Sequence, residues 1–77
     1  MDRLGAMSVF MTVVESGSLS AAGRKLRMSL PTVSRRISEL ESHIRARLLI
    51  RSTTKLALTD AGEAYLAACK SIIESVE

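Results

Sequence analysis

Hydrophobic residues recur along this chain in four blocks at helical spacing, interrupted once by a stretch with a different period. Over residues 2–16 the apolar positions Leu4, Met7, Phe10, Met11 and Val14 recur at separations of three (Leu4 to Met7, Met7 to Phe10, Met11 to Val14) and four (Met7 to Met11, Phe10 to Val14), which predicts a helix with one buried stripe. Gly17 enters the left-handed backbone at little cost and ends it, and the Ser18 side chain suits the start of the next. Helical spacing resumes at Leu19, Ala22 and Leu26, breaks across Arg27, Met28 and Ser29, and returns at Val33, Ile37, Leu40 and Ile44. Ser29 is the expected N-cap of this third helix, which is read as continuing to about Ala46; Pro31 is tolerated because it falls in the first turn, where its missing N–H has no intrahelical role.

The period then changes. Leu48-Leu49-Ile50-Arg51 and Leu56-Ala57-Leu58 flank the polar Ser52-Thr53-Thr54-Lys55, which predicts a short β-hairpin over residues 48–58. Thr59 is placed to cap a last helix, with Asp60 and Glu63 in its first turn, where negative charge complements the helix dipole. In that helix Gly62, Leu66, Cys69, Ile73 and Val76 recur by threes and fours, and Tyr65, Ala68 and Ile72 widen the stripe. A helix of about eighteen residues is about 27 Å long, more than a three-helix body needs. Leu66, Cys69, Ile73 and Val76 are therefore expected to form a dimerisation seam in the manner of a coiled coil. A further domain could cover the same face if the chain is a piece of a longer protein, and the pattern stops without a cap, as a truncated chain would.

The length of 77 residues allows one small domain, read as residues 1–59, plus a linker or dimerisation helix over 60–77. With Phe10 and Tyr65 as its only aromatics, the core has to be aliphatic, which favours a mainly α fold. A single cysteine can form neither an internal disulfide nor a zinc site, so Cys69 reads as a small hydrophobe. His43 has no second His or Cys near it, so no metal site is expected. Nothing resembles a nucleophile with its base, a phosphate loop or a paired-carboxylate site: neither enzyme chemistry nor a cofactor is expected. No run approaches the ~18 to 20 apolar residues of a membrane span and the first residues lack signal-peptide order, so the expected location is cytoplasmic, with no membrane partner.

Charge identifies the candidate chemistry. The net charge is only +3, but nine of the eleven basic residues lie between Arg24 and Lys55, with only Glu39 and Glu41 against them. With Val33 at zero on a helical wheel, Pro31, Thr32 and Arg35 fall opposite the apolar stripe and Ser34 on its flank. Small hydroxyl side chains with guanidinium beside them let a backbone approach DNA and contact phosphate or guanine, so residues 19–38 read as a helix-turn-helix whose second helix enters a major groove. The acidic second half of that helix would be repelled by phosphates and should stay outside. Arg51, Thr53 and Lys55 around the hairpin tip suit the sugar-phosphate backbone or the minor groove. A winged-helix module that docks on protein is the alternative.

These residues carry a resemblance. Phe10 and Val14; Glu15-Ser16-Gly17-Ser18-Leu19-Ser20-Ala21-Ala22; Leu26; Ser29 with Pro31; Val33-Ser34-Arg35; Ile37; Leu40-Glu41; Leu48; Arg51; and Leu58-Thr59-Asp60-Ala61-Gly62, in this order, resemble the N-terminal DNA-binding domain and first linker segment of LysR-type transcriptional regulators over essentially the whole chain. The resemblance implies a winged helix-turn-helix, with residues 48–58 as the wing. It also implies a bacterial, nucleoid-associated homodimer, or a tetramer in the full-length protein, joined through antiparallel linker helices on partly palindromic double-stranded promoter DNA. A C-terminal domain sensing a small co-inducer usually follows. Ser29, Pro31, Thr32, Ser34 and Arg35 match groove and phosphate contacts, and Arg51 the wing contact. Three positions depart from the family pattern. Leu30 stands where Gln is usual and offers only apolar contact to a thymine methyl. Arg45 replaces a frequent glycine at the end of the recognition helix, and Leu49 a frequent Phe beneath the wing.

Overall fold

The computed structural model describes residues 2–51 and 56–76. Its elements are α1 (Arg3–Ser16), α2 (Leu19–Leu26), α3 (Leu30–Ile44), β1 (Leu49–Arg51), β2 (Leu56–Leu58) and α4 (Asp60–Val76). Each helix starts where a side-chain oxygen can take an N–H that the helix leaves unpaired. Asp2 accepts from the Gly5 N–H at 3.0 Å, Ser18 from Ala21 at 3.0 Å, Ser29 from Thr32 at 3.3 Å and Thr59 from Gly62 at 2.9 Å. α1 ends on Gly17 at φ 79°, its N–H donating to the Val13 carbonyl at 3.0 Å.

α2 and α3 end alike, each on an arginine in the left-handed region: Arg27 at φ 56°, ψ 43° and Arg45 at φ 55°, ψ 43°. The second of these corrects a sequence expectation, since α3 stops at Ile44 rather than near Ala46. Once Arg45 turns left-handed, its N–H and that of Ala46 both donate to the Glu41 carbonyl, and the helix cannot continue.

α1, α2 and α3 pack against one another, and α4 lies across α1. Phe10, Val13, Ala22, Val33 and Ile37 are completely buried between them, joined by Leu40, Leu48, Leu49 and Cys69. Phe10 meets Tyr65 of α4 edge to face, ring centroids 5.4 Å apart at 68°, a geometry that sets the positive ring edge against the negative ring face. Leu4 departs from the predicted stripe and is 44% exposed. Met7, Met11 and Val14 pack part-buried against the core.

β1 and β2 form a two-stranded antiparallel sheet with Leu49 opposite Leu58, Ile50 opposite Ala57 and Arg51 opposite Leu56. Leu49 is buried, while Ile50 faces outward. The hairpin is fastened at its base to α4: the Leu48 carbonyl accepts the Thr59 N–H at 3.0 Å, and the Thr59 hydroxyl donates to the Arg47 carbonyl. A methyl group at Gly62 would overlap the Leu48 carbonyl oxygen, so the first turn of α4 can approach the hairpin only because that position has no side chain.

Candidate nucleic-acid interface

The N-terminal half of α3 presents the residues singled out from sequence. Pro31 and Arg35 are exposed, Leu30 is 47% exposed and Ser29 is exposed at the cap, while Thr32 and Ser34 are half-buried at the margins. On the opposite side Val33, Ile37 and Leu40 are sealed in the core, so this face is held by packing along the full length of the helix.

Two of its hydroxyls engage each other. Ser29 Oγ lies 2.8 Å from Thr32 Oγ1 while also accepting the Thr32 N–H.

The wing is joined to this face by a side-chain contact that sequence reading missed. Arg51 Nη1 donates to Ser34 Oγ at 3.0 Å across seventeen residues. Both residues were singled out as contacts to a duplex, and here they meet, so the first strand of the wing and the flank of α3 present one continuous surface. A second missed contact holds the wing at its root. The Glu41 carboxylate accepts the Leu48 N–H at 2.8 Å and the Leu49 N–H at 3.2 Å. Hydrogen bonds to an ionised acceptor are the strong ones, and these two neutralise the apparent misfit of an acid within a basic stretch. The signal available in sequence was the wheel: Glu41 and Ser34 are seven residues apart, about 20° from alignment on one flank.

The described basic residues from α2 to the wing are exposed. Arg24, Lys25 and Arg27 close α2, Arg35 and Arg36 follow on α3, and Arg45, Arg47 and Arg51 lead into and along the wing, all exposed. The outer side of the second half of α3 is of mixed sign, with a hollow lined by Arg36, Glu39, His43 and Asp2 among others. On the N-terminal half of the helix the exposed residues are Leu30, Pro31, Arg35 and Arg36, and Arg51 is the cationic residue on the described strands of the wing. Thr53 and Lys55 lie outside the described residues.

The expected seam on α4 needs correction. Cys69 is fully buried in the core of its own chain and Leu66 packs against that core, because the first half of α4 is used to close over α1. Burial pushes the Cys69 thiol pKa up, and burial first, then the neighbouring Cys69, pushes the Tyr65 hydroxyl up to about 12. Cys69 is therefore a neutral packing group. Farther along, Ile72 is 38% exposed and Ile73 half-buried, so the apolar surface still facing outward starts about one turn beyond Cys69 rather than at Leu66. The Val76 side chain is outside the described residues. Among the described residues no three His, Cys, Asp or Glu side chains gather as metal ligands, and no helix is long and apolar enough to cross a membrane.

Comparison with known proteins agrees with this geometry. The chain is 44% identical over all 77 residues to the HTH-type transcriptional activator AaeR of Escherichia coli K12, and 40% identical over 77 residues to an HTH-type transcriptional repressor of Pseudomonas aeruginosa. It spans about a quarter of the length of these relatives, 25% and 24% respectively. Among solved structures, it superposes on the DNA-binding domain of CbnR in a DNA complex with TM-score 0.91 and 33% identity, covering 99% of this chain and 86% of that one. For the BenM DNA-binding domain in complex with catB site 1 DNA the TM-score is 0.92 at 29% identity, covering 99% and 83%. The family model described as bacterial regulatory helix-turn-helix protein, lysR family, matches residues 4–63, and the chain belongs to that family.

Proposed function

We propose that this chain is the sequence-specific DNA-binding part of a dimeric bacterial transcription regulator, acting in the cytoplasm without catalysis or cofactor. The N-terminal half of α3 enters the major groove, and the wing lies along the backbone or the adjacent minor groove. The observation that carries this reading is the Arg51–Ser34 bond, which joins wing and helix into one outward surface of hydroxyl and guanidinium groups. In this reading Arg35 supplies a base or phosphate contact, Ser29, Pro31, Thr32 and Ser34 allow close approach, and Arg51 with Thr53 and Lys55 contacts the backbone. The DNA held by the solved CbnR and BenM domains supports it over docking on protein. A second copy packs through the outward part of α4 around Ile72 and Ile73, which sets two α3 helices on one partly palindromic site.

The test is a titration of duplexes selected from random DNA against the chain at rising ionic strength. Neutralised phosphates release counterions, so affinity should fall steeply, by orders of magnitude between about 50 and 200 mM salt if some six or more phosphates are contacted. Arg35→Ala should weaken binding by about 1 to 3 kcal/mol. A flat salt response would overturn the reading in favour of an apolar protein partner.

A further inference from the structure

Large exposed apolar side chains on the described surface are Leu4, Leu30, Ile50 and Ile72, and Leu30 is the one that lies on α3, at its first residue. Ser34 follows four residues later, about 40° away on the wheel, so Leu30 stands on the same flank as the Ser34–Arg51 bond, one turn nearer the helix tip. Its neighbour Pro31 is also exposed and apolar. The adjacent hydroxyls of Ser29 and Thr32 are turned to each other and to the helix cap. What the tip of α3 offers outward is therefore an aliphatic knob set in a cationic surface.

Leucine can neither donate nor accept a hydrogen bond, so it gains from a groove only by covering apolar surface. The base edges of the major groove carry one such group, the 5-methyl of thymine. We propose that Leu30, backed by Pro31, selects thymine at one position of each half-site by covering that methyl. This rests on the reading that the N-terminal end of α3 enters the major groove, where the first residues of a recognition helix meet base edges. It assigns to Leu30 a specificity that depends on one methyl group rather than on a donor–acceptor pattern.

Deoxyuridine pairs as thymine does and lacks only the methyl, which makes the contact separable from every other. In the duplex selected by the chain, each thymine in turn is replaced by deoxyuridine, and affinity is measured at one salt concentration for wild type, Leu30→Ala and Leu30→Gln. Wild type should lose about 3- to 5-fold at one position per half-site, the effect of leaving one methyl uncovered. Leu30→Ala should be indifferent to the methyl there, and Leu30→Gln should shift its preference at that position toward adenine, which glutamine can bond through N6 and N7. Because Leu30 is exposed, both variants should keep the wild-type circular dichroism and melting. Salt-sensitive binding in which no deoxyuridine position responds to Leu30 overturns this contact and leaves the DNA-binding reading standing. Absence of salt-sensitive binding to any duplex overturns both.

Discussion

The turns that leave α2 and α3 have nearly the same backbone and opposite outcomes. In the first, the Gly23 carbonyl takes the N–H groups of Arg27 and Met28; in the second, the Glu41 carbonyl takes those of Arg45 and Ala46. The arginine in each sits within a degree of the same left-handed conformation. Yet the first turn folds back at once into α3, while the second carries the chain out into the wing. The difference lies in the side chain of the residue whose carbonyl is used. Gly23 has none, and the Met28 carbonyl closes down against it. Glu41 has a carboxylate long enough to reach past the turn and take the Leu48 and Leu49 N–H groups. One local stop signal thus serves two purposes. An absent side chain makes a tight corner between two helices, and a charged one sets where a strand begins.

The largest effect is expected where the corner is tightest. A Cβ at Gly23 would sit 2.8 Å from the Met28 carbonyl oxygen and 3.6 Å from Val33 Cγ2, and the first of these is backbone that cannot swing aside. In an open helix Gly→Ala gains about 1 kcal/mol from propensity. Gly23→Ala should instead lose about 2 to 3 kcal/mol, the scale of overpacking, and lower the melting temperature by some 10 °C or more. A melt at or above that of wild type would show that the corner can open, and the contrast between the two turns would then reduce to charge alone.

Removing the carboxylate from the other turn should cost less. Glu41→Ala leaves two N–H groups at the root of the wing without their acceptor, for an expected loss of about 2 kcal/mol. The chain stays folded, because the backbone carbonyl of residue 41 still caps α3 and the Leu48 carbonyl still accepts the Thr59 N–H. The distinguishing readout is local. Hydrogen exchange should accelerate at Leu48 and Leu49 and stay unchanged at Arg27 and Met28, and Glu41→Gln, which keeps one carbonyl acceptor, should fall between. Equal acceleration at both turns would mean that Glu41 supports the whole domain rather than the wing.

This division also separates what could be read from sequence from what could not. Ser18, Ser29 and Thr59 cap their helices as expected and Gly17 ends α1 in the left-handed region, because each depends on residues within about one turn of one another, and the hairpin lies where the period changes because its strands are neighbours in the chain. The end of α3 was displaced by two residues because a left-handed arginine gives no glycine signal. The Ser34–Arg51 and Glu41–Leu48 contacts were only half legible for another reason: the wheel puts Ser34 and Glu41 on one flank, but their partners reach them only once the wing folds back beside α3, across seventeen and seven residues. Cys69 illustrates the same limit. Its spacing placed it on the correct stripe, but only the packing of α4 across α1 decides that this part of the stripe closes the chain's own core and the next turn is left outward. On the interface, the residue types and the helix face were legible, whereas the joining of that face to the wing was not.

The smallest effect probes the element the two turns share. A non-glycine residue in the left-handed region costs about 1 to 2 kcal/mol, and glycine gives back about half of that through the greater freedom of its unfolded chain. Arg27→Gly and Arg45→Gly should therefore each stabilise the domain by about 0.5 to 1 kcal/mol, seen as a rise of a few degrees in calorimetric melting. Because φ and ψ agree at the two sites, the gains should be equal and, the sites being at different corners, should add in the double variant. A smaller gain at one site would locate a stabilising role of that arginine's side chain, and a loss at either would mean that the side chain outweighs the backbone strain. The two variants should also differ from wild type in the opposite direction on DNA, since each removes an exposed cation from the basic stretch between α2 and the wing and should reduce the salt slope by up to about one ion. An arginine whose removal raises stability while lowering affinity is one retained at a strained position for its charge, and the turn that shows this pattern more strongly is the one that lies nearer the duplex.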